Sequence, residues 1–435
     1  MDTPHKLVGR LMSDIGAVAA DIQGYVRRPG ADFTRTRLIG AGDVIRALVC
    51  MGAGTLGREL ADGWLDAPSP PSAPAFCQAR AKLEPEALRQ LLVRFVPDAP
   101  ARAMPGGLRL AAVDGTEVVM QRNPRDAETY NARGNGRGGR GYNSVYATAL
   151  LDMGRGRFLD AVAQPGPAKD EHAAFRELAD RCDPELTLVA DRGFASYNGL
   201  AHCAERGVGF VVRLTDAFAA ALLGADGLPD GADEDVELLL SRSRRAGLRA
   251  EPGYRFVSAH TRFDYLGGAG SSYRLRLRVV RLDIGGGRFE NLATSLPREA
   301  FGPEELGGIY ALRWGIETAF RDLKHAIGLA RLHSASFRGA AQEVYARMVL
   351  YNFCSAMAAL AQLLVDGSPR GGLKHRYAVN FAAAVRACRA ELWPRAGPAD
   401  GLLERIAANV CPVRPGRSFA RHRRLWSPGN YAYRC

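Results

Sequence analysis

The spacing of apolar residues changes character near residue 105. From Leu38 to Val96 they recur mostly at helical intervals. Asp43 is placed to cap a helix running through Met51, and Glu84 to Val96 predicts another. A proline-rich break, Pro68 to Pro74, separates the two. Residues 1–105 read as a helical N-terminal region, closed at Met104-Pro105-Gly106-Gly107. Beyond it, Leu108 to Met120 is a strand-like run. Tyr142 to Leu151 and Arg157 to Ala163 form a strand pair across the turn Asp152 to Gly156. Asp170 to Asp180 predicts a helix, Leu186 to Ala190 a short strand, Ser196 to Arg206 a helix and Val208 to Leu214 a strand.

Three strands, helix, strand, helix, strand is the order of a ribonuclease-H-like core. The expected fold is therefore α/β, a mixed-sheet core over residues 106–215. From 216 to 300 the pattern is β again, with runs at Tyr254 to Ser258, Tyr273 to Asp283 and Phe289 to Ser295; this predicts an inserted β unit. Pro303 opens a strong helix, with Glu304 and Glu305 in its first turn, where negative charge favours a helix start. Residues 301–345 complete the core around that helix. Residues 346–435 read as a helical C-terminal region with a basic, irregular tail from Pro412. The apolar stretch Met348 to Val365 is broken by Tyr351, Asn352, Ser355 and Gln362. It predicts a buried helix, since a membrane span needs roughly 20 mostly apolar residues. Met1 to Arg10 has neither the apolar run nor the cleavage site of a signal peptide.

Composition alters this picture through charge. The chain has 435 residues, 47% hydrophobic and 24% charged, enough for several packed units. Its net charge of +12 suits a polyanionic partner. The basic residues are spread along the chain, which predicts a folded basic surface. The eight cysteines are scattered without metal-ligand spacing and read as small core residues in a reducing cytoplasm.

The sharpest chemical signal lies on the helix after Pro303. With Tyr310 at zero and about 100° per residue, Arg313, Glu317 and Lys324 fall at about 300°, 340° and 320°. All four share one side, beside a core stripe of Ile309, Leu312, Ile316, Phe320, Leu323 and Ile327. Alone, this is also the pattern of an amphipathic helix with an Arg–Glu pair. Two aspartates add to it. Asp114 ends the run Leu110-Ala111-Ala112-Val113, and Asp191 ends Leu186 to Ala190. A carboxylate at the tip of a buried strand needs a partner or a cation. Neighbouring strands carrying these two, with Glu317 alongside, would offer the oxygen shell that hard cations such as Mg²⁺ take. Taken singly, Asp114-Gly115 also fits a hairpin turn, and Asp191-Arg192-Gly193 a strand-to-helix turn.

These residues carry a family resemblance. Val113-Asp114-Gly115-Thr116, Asp191-Arg192-Gly193-Phe194 and Tyr310-x-x-Arg313-x-x-x-Glu317-x-x-x-x-x-x-Lys324 resemble the DDE transposases of bacterial insertion sequences, in the spacing of the IS-four subgroup. Phe210 to Leu214, Asn291 to Leu296 and Ala75 to Leu83 are also similar to that family, so the likeness spans nearly the whole chain. The resemblance implies Asp114, Asp191 and Glu317 as catalytic ligands of two Mg²⁺ or Mn²⁺ ions. It implies Tyr310, Arg313 and Lys324 as contacts to DNA phosphates, and Arg192 is counted with them. It implies an enzyme that binds the terminal inverted repeats of its element, cleaves them and joins them to target DNA, as a homodimer on DNA, in the cytoplasm at the nucleoid. The alternatives are a nuclease of the same fold without strand transfer, and an inactive DNA-binding derivative. One feature departs: some relatives hold a flipped base on a tryptophan in the insertion, whereas the tryptophans here are Trp64, Trp314, Trp393 and Trp426.

Weaker signals complete the reading. Gly134-x-Gly136-x-x-Gly139 matches a dinucleotide fingerprint, but a strand follows it where a helix is needed, so no nucleotide cofactor is expected. Its Arg137 and Arg140, with Arg133, suit a basic loop touching DNA; a solvated turn fits equally. Trp314 reads as a core residue, and the histidines show no paired metal spacing. The arginines from Arg414 to Arg424 suit either DNA contact or a solvated end. Arg274, Arg276 and Arg278 share one strand face.

Overall fold

A computed structural model describes residues 3–35, 39–63, 70–132, 141–224, 228–267, 270–368, 375–392 and 401–414. Capping residues set many of the helix starts. Thr3 and Pro4 open α1 (Pro4–Ala20), and Ser72 opens α4 (Ala73–Arg80), each hydroxyl accepting a free N–H of the first turn. Between them lie α2 (Ala41–Cys50) and α3 (Leu56–Gly63), and α5 (Pro85–Arg94) follows. Asp43 is one turn inside α2, where its carboxylate accepts the Gly40 N–H at 2.8 Å instead of capping the start.

The core strands match the apolar runs. They are β1 (Arg109–Met120), β3 (Tyr142–Asp152), β4 (Arg157–Pro165), β5 (Leu186–Ala190) and β6 (Gly209–Leu214); β2 (Tyr130–Asn131) is a short addition beside β3. Asp170 caps α6 (Glu171–Arg181) before β5. Ser196 caps α7 (Tyr197–Arg206) before β6, and Gly207, at φ 68°, ends α7. The spatial order is β4-β3-β1-β5-β6, with β1 antiparallel to β3 and parallel to β5. This is the ribonuclease-H-like arrangement. Helices cover both faces, which is why the strands read as continuous apolar runs.

Residues 216–300 are β-rich, as their pattern indicates, but they do not form a separate unit. After α8 (Asp216–Leu223) come β7 (Asp233–Ser241), α9 (Ala246–Arg249), β8 (Tyr254–Phe256), β9 (Ser272–Asp283) and β10 (Phe289–Thr294). β10 pairs antiparallel with β6, so the sheet continues β6-β10-β9-β7-β8 and reaches ten strands among the described residues. Without β10, β6 would leave an unpaired edge, and the insertion satisfies it. The face of β9 that carries arginines is neutralised across the ladder: Glu237 holds Arg274 and Arg276, and Asp233 holds Arg278 at 2.6 Å.

The helix expected after Pro303 is two helices, α10 (Pro303–Ala311) and α11 (Trp314–His325). The long α12 (Phe337–Gly367) then forms the centre of the molecule, followed by β11 (Arg376–Val379), α13 (Phe381–Leu392), α14 (Leu402–Ala407) and β12 (Val410–Val413). β12 pairs with β11, so the tail expected to be irregular from Pro412 begins inside a strand. By length and composition α12 could cross a membrane, yet two-thirds of its most apolar window (67%) is buried inside the protein. The polar residues that interrupt its apolar run fasten neighbours to it. Asn352 bonds the backbone of Phe158 on β4 through both ends of its amide, each at 2.7 Å. Ser355 donates to Gly156 O, and Gln362 joins β11 by bonding Tyr377 and Val379. Leu7, Val44, Leu48, Leu88 and Leu91 from the N-terminal helices share one apolar core with Val349 and Phe353 of α12 and with Ala147 and Ala149 of β3.

Candidate active site

β1 and β5 lie side by side and parallel, with Val113 opposite Ala190. The next residues, Asp114 and Asp191, are therefore neighbours; Asp191 leaves the end of β5, whereas Asp114, expected at a strand tip, stays within β1, which runs on to Met120 paired with β3. Each carboxylate is oriented locally by accepting the following backbone N–H at 2.8 Å, from Gly115 and Arg192 respectively. Across from them, α10 buries Leu306, Ile309 and Tyr310 against the sheet. The Tyr310 hydroxyl donates to Asp191 Oδ1 at 3.1 Å.

Between α10 and α11 the backbone tightens. Arg313 N bonds Tyr310 O, Gly315 N bonds Leu312 O and Ile316 N bonds Arg313 O, each at 3.0 Å. These i→i−3 bonds belong to a 3₁₀ turn, with three residues per turn, so Tyr310 and Arg313 stand one above the other. The Arg313 guanidinium lies 5.7 Å from the Tyr310 ring centre and 5.0 Å from that of Trp314. It bridges two carboxylates: Nη1 is 3.3 Å from Asp114 Oδ2 and Nη2 is 3.4 Å from Glu317 Oε1. Ile316, Ala319, Phe320 and Leu323 bury the core side of α11 and aim Glu317 into this space.

The electrostatics follow from burial and crowding. Burial pushes the Asp114 carboxyl above its ordinary range; the Gly115 N–H and Arg313 oppose the shift, while Glu317 and Asp191 add to it. Burial pushes the Lys324 ammonium down, and Glu117 opposes that. Three carboxylates facing two guanidiniums, Arg313 beside Asp114 and Glu317 and Arg213 beside Asp191, leave surplus negative charge on an all-oxygen donor set, which fits a hard divalent cation. Among the described residues, however, no group of three His, Cys, Asp or Glu side chains is closed up into a metal-ligand set. The three carboxylates border one space, and the Arg313 guanidinium separates Asp114 from Glu317.

The structure thus brings Asp114, Asp191, Glu317, Tyr310 and Arg313 together, with Lys324 half-buried further along α11 toward Glu117. The Arg192 side chain is exposed beside the cluster. Arg137 and Arg140, the glycines around them and the arginines beyond Arg414 lie outside the described residues. Trp314, expected in the core, is 56% exposed, because the 3₁₀ turn rotates it away from the buried side of α11. Two groups were not anticipated. Arg213, at the end of β6, lies 3.8 Å from Asp191 and 3.5 Å from Glu290. An arginine inside Phe210-Val211-Val212-Arg213-Leu214, on the strand next to Asp191, was its signal. Tyr146 packs its phenol against Gly115 and donates to Glu171 at 2.5 Å; nothing in the local pattern marks that pair.

Residues 105–353 match the family model described as the transposase DDE domain. No curated protein matches the chain. Among solved structures, a cryo-EM structure of a piggyBac transposase synaptic complex with hairpin DNA is similar at a TM-score of 0.45 and 12% identity, covering 96% of this chain and 87% of that one.

Proposed function

The chain belongs to the transposase DDE domain family, whose model matches 105–353, and on that premise we propose that it cuts the ends of its own mobile element and joins them to target DNA. One observation carries the assignment of the site: Asp114 in β1 and Asp191 just after β5 each follow the paired residues Val113 and Ala190 of adjacent parallel strands, with Glu317 held opposite Asp114 through Arg313. In this reading Asp114, Asp191 and Glu317 bind the two Mg²⁺ or Mn²⁺ ions that such enzymes use. Ions bound there would favour deprotonation of the attacking water or 3′-hydroxyl and stabilise the leaving oxygen.

The remaining roles belong to the chain itself. The Arg313 fork and the Lys324 ammonium take phosphate oxygens flanking the cut, and Arg192, exposed at the rim, adds a backbone contact. Tyr310 orients Asp191 through its hydroxyl. The net charge of +12 supports a long DNA track, for which Arg137 and Arg140 are further candidates. The Tyr310, Arg313, Glu317 and Lys324 spacing supports the IS-four subgroup of bacterial insertion sequences, terminal inverted repeats as the bound DNA, and a cytoplasmic enzyme working at the nucleoid. Joining two ends in one event calls for a homodimer on DNA.

Glu317→Gln keeps the side chain's shape and removes its charge. It should abolish cleavage of a duplex carrying the element end while gel-shift binding of that duplex stays near wild type. Cleavage by the variant at the wild-type rate would reduce the Arg313–Glu317 pair to a surface salt bridge and end the assignment. Joining of a pre-cut 3′-hydroxyl end separates a transposase from a nuclease of the same fold, and any Mg²⁺-dependent cleavage excludes an inactive binding protein.

A further inference from the structure

The centre of the acidic cluster is filled by a positive charge from the chain itself. The Arg313 side chain is 4% exposed, and it reaches Asp114 and Glu317 at 3.3 and 3.4 Å. Charge-assisted arginine contacts normally close to about 2.7–2.9 Å. Its Nε is buried and has no hydrogen-bond partner among the described residues, although buried guanidinium N–H groups are normally satisfied. What holds the group is one long hydrogen bond to each of the two carboxylates, their charge, and the flanking rings of Tyr310 and Trp314. The tight two-pronged geometry that would lock it to one carboxylate is missing. Arg313 can therefore exchange partners at low cost, and it occupies one oxygen each of Asp114 and Glu317, two of the three carboxylates proposed to hold a cation.

We infer that Arg313 is an internal competitor of the divalent cation, closing the carboxylate cluster in the DNA-free protein and releasing it when a phosphate oxygen takes the guanidinium. The inference rests on Asp114, Asp191 and Glu317 being the cation's ligands. Asp114 and Glu317 cannot serve the guanidinium and a divalent ion with the same oxygens, so one occupant excludes the other. A phosphate offered to Arg313 removes the competitor, and DNA and cation then bind with positive, reciprocal coupling. The free enzyme is left with a weakly loaded site, which restrains cutting until DNA is seated.

The test is Mn²⁺ affinity, measured by calorimetry on the full-length protein, with no turnover involved. Without DNA, Arg313→Gln should bind Mn²⁺ about tenfold more tightly than wild type, the size of a typical coupling between linked sites. Arg313→Lys, which keeps the charge and loses the fork, should fall between them. It decides the question by the same criterion if thermal melts show Arg313→Gln unfolded. A short random-sequence duplex should raise the wild-type affinity and raise that of Arg313→Gln less. Equal or weaker Mn²⁺ binding by the folded Arg313 variants, or an equal gain from DNA in both proteins, overturns the inference. Asp114→Asn identifies which idea has failed. Mn²⁺ binding that depends on Asp114 but is unmoved by Arg313 sinks the competitor alone. No Mn²⁺ binding by wild type or any variant sinks the ligand assignment as well.

Discussion

At Gly115, next to the proposed ligand Asp114, a methyl group has no room. A Cβ there would lie 2.1 Å from the Tyr146 hydroxyl and 2.6 Å from two of its ring carbons. That ring cannot swing aside freely: its hydroxyl is bonded to Glu171, and the Lys169 ammonium sits 4.5 Å from its centre. Gly115→Ala should therefore cost about 1–3 kcal/mol, the usual range for overpacking. A double-mutant cycle with Tyr146→Ala checks the cause. Thermal melts should show the double variant less destabilised than the sum of the singles by about 0.5–3 kcal/mol, as expected for residues in contact. Strictly additive losses would place the strain elsewhere. The glycine of Val113-Asp114-Gly115-Thr116 is thus required by packing, independently of any turn.

At the scale of elements, α12 holds the N-terminal helices by a buried ionic network. Glu343 lies 3.1 Å from Arg80 of α4 and accepts the His333 backbone N–H at 2.8 Å. Burial alone would raise the Glu343 carboxyl, but Arg80 and His333 outweigh it and hold it at about 2. In an unfolded chain the same group titrates near 4.3. The folded value is the lower one, so this carboxylate stabilises the fold above about pH 4.3 and loses its contribution as pH falls toward 2. Thermal stability should decline through that window. Glu343→Gln should be destabilised by about 3–5 kcal/mol at neutral pH, as when a buried ion pair loses one member, and should show a flatter profile below pH 4.5. An unchanged acid limb in the variant would rule Glu343 out as the group responsible.

For the molecule as a whole, the family match and the packing unit differ. Residues 105–353 carry the match, yet 105–353 ends inside α12 and omits α1 to α5, whose side chains complete the core around that helix. Val349, Leu350 and Phe353, all 0% exposed in the full chain, would lose their neighbours. A fragment of residues 105–353 should accordingly lack a cooperative thermal transition and be digested rapidly by protease. A sharp melt in circular dichroism, with slow proteolysis, would show that the matched region folds without its helical partners.

The amino-acid pattern alone determined most of the core and the candidate residues. Strands buried on both faces write themselves as unbroken apolar runs, and Asp114 and Asp191 are visible as charges ending two of them. Prolines and capping side chains are local devices, so the helix starts at Asp170, Ser196 and Pro303 need no distant partner to be read. Tertiary structure decided what depends on distant partners. β7 begins Asp233-Glu234-Asp235 and resembles a solvated loop until Arg278 and Arg298 arrive to pair with it. Whether β10 belongs to a separate unit depended on the free edge of β6, which is a property of the assembled sheet. An even helical period carried Tyr310 through Lys324 on one wheel, whereas the 3₁₀ turn at Leu312 and Arg313 exposes Trp314 and sets the guanidinium between Asp114 and Glu317. Side-chain periodicity can identify which charges share a space; only packing from both sides decides which of them occupies its centre.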